Sequence, residues 1–180
     1  MNTRLPTEIV ASVLAASTVI LSLPPLNLPP WAVFVSWAGC FAAGGPRAEN
    51  LTKLWKTMPI GSTYALLIVL VVQATSGRLS FWGAQADTMA TIFLLNTALM
   101  YTGRIKAVGF VPGMFFGFSS FFATYFGGWG PIAHNPFTAW IAVIIMNAIG
   151  PAYAYLNVKL ALPVPNRPRG KGVVTAPAEP

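Results

Sequence analysis

Residues 111–130, VPGMFFGFSSFFATYFGGWG, decide the fold. Gly113, Gly117, Ser120 and Thr124 recur at intervals of four, three and four, while Phe115, Phe118, Phe122 and Phe126 form the opposite stripe. That spacing is a helix with two unlike faces. The phenylalanine face is bulky and suits lipid or packing. The other is slim and admits a second backbone at close range, the small-xxx-small logic of membrane helices. Two readings of the slim face are open from sequence: a helix contact, or a narrow polar path lined by the Ser and Thr hydroxyls.

Outward from this stretch the chain is just as apolar. Hydrophobic residues fill 55% of its 180 positions and charged residues 8%, in runs too long for a soluble core, so the chain reads as one compact all-α integral membrane domain. The basic residues behind the net charge of +7 stand singly between apolar runs. This fits membrane topology and argues against a nucleic-acid partner. Cys40 is the only cysteine, which excludes an intrachain disulfide and a cysteine-based metal cluster. His134, also alone, stands beside Asn135 and Pro136 and reads as a loop residue.

Six transmembrane helices are expected. The first covers residues 9–23 and lacks a following small-x-small cleavage site, so it reads as uncleaved. Pro24, Pro25, Pro29 and Pro30 break the chain before a short second span from Trp31 to Gly44 or Gly45. Residues 46–57 gather Arg47, Glu49, Lys53 and Lys56 with Leu51, Leu54 and Trp55, an amphipathic connector at the interface. The third span runs from Pro59 to Thr75, with Ser76, Gly77 and Arg78 turning the chain and Trp82 anchoring the loop. Asp87 opens the fourth span, which ends near Thr102. The fifth is the opening stretch, and Gly127 to Pro131 follow it as a bend. The sixth runs from Pro136 to Leu156 or Lys159, with a kink expected at Pro151. Residues 1–162 thus form the membrane domain, and residues 163–180 a disordered, basic, Pro-rich cytoplasmic tail whose Arg167, Arg169 and Lys171 suit anionic headgroups.

With six spans, ten basic residues fall on the side of both termini, and Arg78 alone on the other. By the positive-inside rule both termini are cytoplasmic. Pro6, Pro59, Pro112 and Pro165 are 53 residues apart, as are Lys53, Lys106 and Lys159. Read as a repeat, this spacing makes three pseudo-repeated helical hairpins about an axis along the membrane normal. An inverted three-plus-three arrangement, or no repeat, are the alternatives.

The spans hold no ionisable side chain in their central parts, which weighs against ion-driven transport. No Walker pattern, Ser-His-Asp set, carboxylate pair, metal-ligand set or haem ligation pattern is present. The chain therefore reads as a non-enzyme without cofactor. Its interior polarity is neutral. Asn147 is foremost, mid-span, with Gly150 and Ala154 continuing its face; Gln73, Thr91 and Asn96 are secondary. A side-chain amide in hydrocarbon must meet another helix, a carbonyl or water, so Asn147 makes either an interhelical bond or, with Ser120 and Thr124, part of a passage. Ser17, Thr18, Ser36 and Cys40 read as packing residues.

The Pro-Pro-Trp start and Gly44-Gly45 end of the second span, with the FGFSSFFATYFGG run of residues 116–128, resemble a family of small bacterial inner-membrane proteins, the YcdZ-like domain of unknown function. The resemblance covers residues 6–160 and implies a bacterial cytoplasmic-membrane protein, with no assigned substrate, cofactor or catalytic residue.

The expected function is a passive channel or facilitator for a small neutral solute, and the alternative an accessory or assembly subunit whose glycine face docks another membrane protein. The expected partners are the lipid bilayer and further copies of the chain, which would shield the short second span.

Overall fold

Proline and glycine set the helix limits. Pro30 and Pro136 occupy the first helical position, where the missing N–H has no partner to lose, and Pro112 lies in a first turn. Asn135 caps its helix by accepting from the amides of Phe137 and Thr138, both at 3.0 Å. Gly44, Gly45, Gly128 and Gly130 have positive φ beyond the ends of two helices.

The computed structural model describes residues 5–75 and 85–161. Among them are six α-helices: α1 (Thr7–Leu21), α2 (Pro30–Ala42), α3 (Ala48–Thr75), α4 (Ala86–Thr102), α5 (Val111–Phe126) and α6 (Pro136–Leu160), with one 3-10 turn at Lys106–Val108. The described residues hold no strand, only an isolated bridge between Leu5 and Ala161. The fold is all-α. Two helices, α3 and α6, are long and apolar enough to cross a membrane, with 28 and 25 residues against the ~20 a span needs. The turn at residues 76–78, the Trp82 anchor and the tail at residues 163–180 lie outside the described residues.

The expected connector at residues 46–57 is not a separate element. α3 begins at Ala48 and continues through Pro59. One proline removes one hydrogen bond, and the neighbouring turns are well held: Thr57 and Thr63 return their hydroxyls to the carbonyls of Lys53 and Pro59, each at 2.8 Å. Glu49 pairs with Lys53 one turn on. α6 likewise contains Pro151.

Helix pairing also departs from three hairpins. The two most intimate pairs are α3 with α5 and α2 with α6, and the first hairpin, α1 with α2, packs thinly. Of the 53-residue punctuation, Pro6, Pro112 and Lys159 stand at helix ends whereas Lys53 and Pro59 lie inside α3, and pairing depends on where glycine lets backbones approach. The pattern of contacts relates α1–α2–α3 to α4–α5–α6. As α2 packs on α6, so α5 packs on α3; as α1 leans on α6, so α4 leans on α3; and α2–α5 and α3–α6 cross between the halves. Each half has two shorter helices, of 15 and 13 or 17 and 16 residues, before a long one of 28 or 25.

The Leu5 amide donates to the Leu160 carbonyl at 3.3 Å, so the start of α1 and the end of α6 share one end of the bundle. Large apolar side chains face outward, Ile20 at 68% and Phe93 at 70% exposure, while Ser36, Ser62, Thr124 and Asn147 are buried. A soluble monomer rarely exposes so much apolar surface.

Candidate functional site

The slim face of α5 lies against α3. Gly113, Gly117, Ser120 and Thr124 are all buried. A methyl at Gly117 would overlap the carbonyl of Met58, and one at Gly61 of α3 would overlap the carbonyl of Met114, so the helices cross backbone to backbone at a reciprocal pair of glycines. Gly113 abuts the Thr57 side chain. Ser62 donates across the crossing to the Gly117 carbonyl at 2.9 Å. Thr124 returns its hydroxyl to the Ser120 carbonyl at 2.7 Å, while the buried Ser120 Oγ has no hydrogen-bond partner among the described residues. Of the opposite stripe, Phe115 and Phe126 are exposed and Phe118 and Phe122 half-buried, while Phe121, outside that stripe, is fully buried.

Asn147 and Gly150 share α6 but look to different helices. Gly150 lets α2 approach, since a methyl there would overlap Ser36 Oγ and crowd the Val33 carbonyl. Asn147, 3% exposed, lines a cavity of about 290 Å³ between α3 and α6, with Leu54, Trp55, Met58, Pro59, Ile144 and Ala148. Neither Asn147 Nδ2 nor Oδ1 has a hydrogen-bonding partner among the described residues. The Trp55 indole N–H bridges the helices beside this cavity, donating to the Ala148 carbonyl at 3.0 Å. The site is thus a half-open, mostly apolar cavity in which the Asn147 amide is the side-chain donor and acceptor without a partner, large against the ~10–15 Å³ of probe volume that one water requires.

The stripe residues and Asn147 do not meet in one passage, since α3 occupies the slim face of α5. Gln73 donates to the Tyr125 hydroxyl at 2.8 Å and lines a larger, mostly apolar cavity of about 480 Å³ with Gln85, Thr88 and Phe122. Thr91 is buried in α4, and Asn96 Oδ1 is buried without a partner among the described residues. His134 Nδ1 sits 3.2 Å from the Tyr125 carbonyl. Ser17, Thr18 and Ser36 return their hydroxyls to their own helices. Ser17 also meets the Tyr153 hydroxyl at 2.9 Å. No group of three or more His, Cys, Asp or Glu among the described residues is placed to hold a metal ion.

Sequence reasoning missed Trp55, Pro59 and Pro151 as site residues. Their signal is available in retrospect: a proline inside a long apolar helix leaves the carbonyl four residues earlier without its donor.

The family described as "Protein of unknown function (DUF1097)" matches residues 8–162. No curated protein and no solved structure matches the chain.

Proposed function

The chain belongs to the DUF1097 family, and because that membership carries no activity with it, we propose from the site itself that the protein is a multi-pass membrane facilitator passing a small neutral solute along the α3–α6 seam. The observation that carries this reading is Asn147. A buried amide without partners costs roughly 1–3 kcal/mol, and here it lines a chamber instead of bonding a neighbouring helix. Neutral donors and acceptors in an apolar wall suit an uncharged solute and give an ion no counter-charge.

Six spans, with both termini cytoplasmic in a bacterial inner membrane, are part of the proposal. It is supported by the outward apolar side chains, the shared end of α1 and α6 and the skewed basic residues. α2, with 13 residues, extends about 20 Å and falls short of a ~30 Å hydrocarbon core, which favours a homo-oligomer that covers its ends. The relation between halves of three helices fits an inverted repeat, an arrangement whose solute sites lie where the halves meet; α3–α6 is such a seam. The alternative, an accessory subunit docking through its glycine face, loses that surface, because α3 of the same chain fills it.

Swelling of proteoliposomes in urea, acetamide and glycerol tests the reading. Wild type is expected to pass at least one solute faster than bare liposomes, with Asn147→Leu falling to the bare rate. No flux above bare liposomes for any of them sinks the facilitator and leaves the accessory role.

A further inference from the structure

Both long helices carry an internal proline, Pro59 in α3 and Pro151 in α6. Proline has no N–H, so each withholds the helical hydrogen bond from the carbonyl four residues earlier. Those carbonyls belong to Trp55 and Asn147. Both residues line the same cavity, one from each helix. Freed carbonyls in membrane helices are commonly satisfied by a neighbouring helix or a hydroxyl. Among the described residues, no backbone amide of a turn, cap or neighbouring segment donates to either. The Trp55 indole is directed to a third carbonyl, that of Ala148.

The polar groups that the cavity's lining residues carry without a regular helical partner are therefore unbalanced. The carbonyls of Trp55 and Asn147 and the Asn147 side-chain oxygen accept; only the Asn147 NH₂ donates. Leu54, Met58 and Ile144 complete the wall with no hydrogen-bonding side chain. Resting on the solute-passing reading above, we propose that the seam takes a neutral molecule richer in donors than acceptors, of the urea or small carboxamide class. Its NH₂ groups would donate to the freed carbonyls while its own carbonyl accepts from Asn147 Nδ2. A polyol matches less well, because each of its hydroxyls brings an acceptor and the Asn147 NH₂ is the one group there to donate. A dehydrated cation would find these few neutral oxygens and no carboxylate, too little to replace its hydration shell or balance its charge.

The test is the urea-to-glycerol permeability ratio, corrected for bare liposomes, in wild type and in Pro59→Ala/Pro151→Ala. The double variant returns an N–H to each carbonyl and keeps Asn147. The wild-type ratio is expected to exceed one and to fall roughly three- to tenfold for each restored bond, with the melting temperature in detergent unchanged or raised. A ratio unaltered by the double variant, or potassium flux through wild type, overturns the inference. Neutral flux that remains dependent on Asn147 in that case leaves the facilitator standing. Absence of flux for every solute removes the facilitator and this inference with it.

Discussion

Gly117 of α5 lies directly against the Met58 carbonyl of α3, with no room for even a methyl group between them. The opposing group is backbone and cannot rotate away. Alanine favours a helix over glycine by about 1 kcal/mol, yet overpacking a tight site costs about 1–3 kcal/mol. Gly117→Ala is therefore expected to lower the melting temperature in detergent, and Gly61→Ala, its reciprocal, to do the same. A rise in both would mean that the crossing is looser than described.

Gly150 differs in what faces it. A methyl there would meet Ser36 Oγ first and the Val33 carbonyl second. Gly150→Ala should destabilise, and Ser36→Ala in the same chain should recover part of the loss, because the nearest obstacle is a side-chain atom. The double-mutant cycle reads this as a coupling of roughly 0.5 kcal/mol or more. Strict additivity of the two melting shifts would contradict the described contact.

Helix positions are legible in the sequence because proline, glycine and an Asn-Pro cap act locally. Pro30, Pro112 and Pro136 mark starts, and the glycines after α2 and α5 mark ends. Pro59 misleads by the same rule. It reads as a start, yet α3 extends 11 residues before it, because one lost bond does not outweigh the intact turns around it. Pairing is not legible, since a slim face says that a backbone approaches without saying which. Gly117 required knowledge of Gly61, and the 53-residue spacing favoured neighbours in sequence over the true partners α3 and α5. Asn147 stands out as a polar residue in mid-span. Trp55 reads as an interface anchor until α6 is placed beside it.

The proposed six spans predict that reporters fused at Gly172 and at Ala84 report opposite sides. A cytoplasmic reporter should be active at Gly172 and a periplasmic one at Ala84. The bond between Leu5 and Leu160 already holds the two ends of the described chain together at one end of the bundle. Activity of the periplasmic reporter at Gly172 would exclude six spans with a cytoplasmic N-terminus.

Asn147→Leu separates function from stability by sign. A structural asparagine holds a hydrogen bond, and its loss in a membrane bundle costs about 0.6 kcal/mol on average. Asn147 instead buries both amide atoms without a partner among the described residues, beside a chamber of about 290 Å³ that can accept a slightly larger side chain. Replacing an unsatisfied polar group with an apolar one removes its desolvation penalty of roughly 1–3 kcal/mol. The leucine variant is thus expected to melt at a higher temperature in detergent than wild type while losing solute flux in liposomes. Asn147→Ala, which removes the amide but leaves the space, should lose flux with a smaller gain in melting temperature, because the enlarged cavity forfeits packing. Were Asn147→Leu to melt lower and still pass solute at the wild-type rate, the amide would be a structural bond, and the chamber at the α3–α6 seam would have no part in transport.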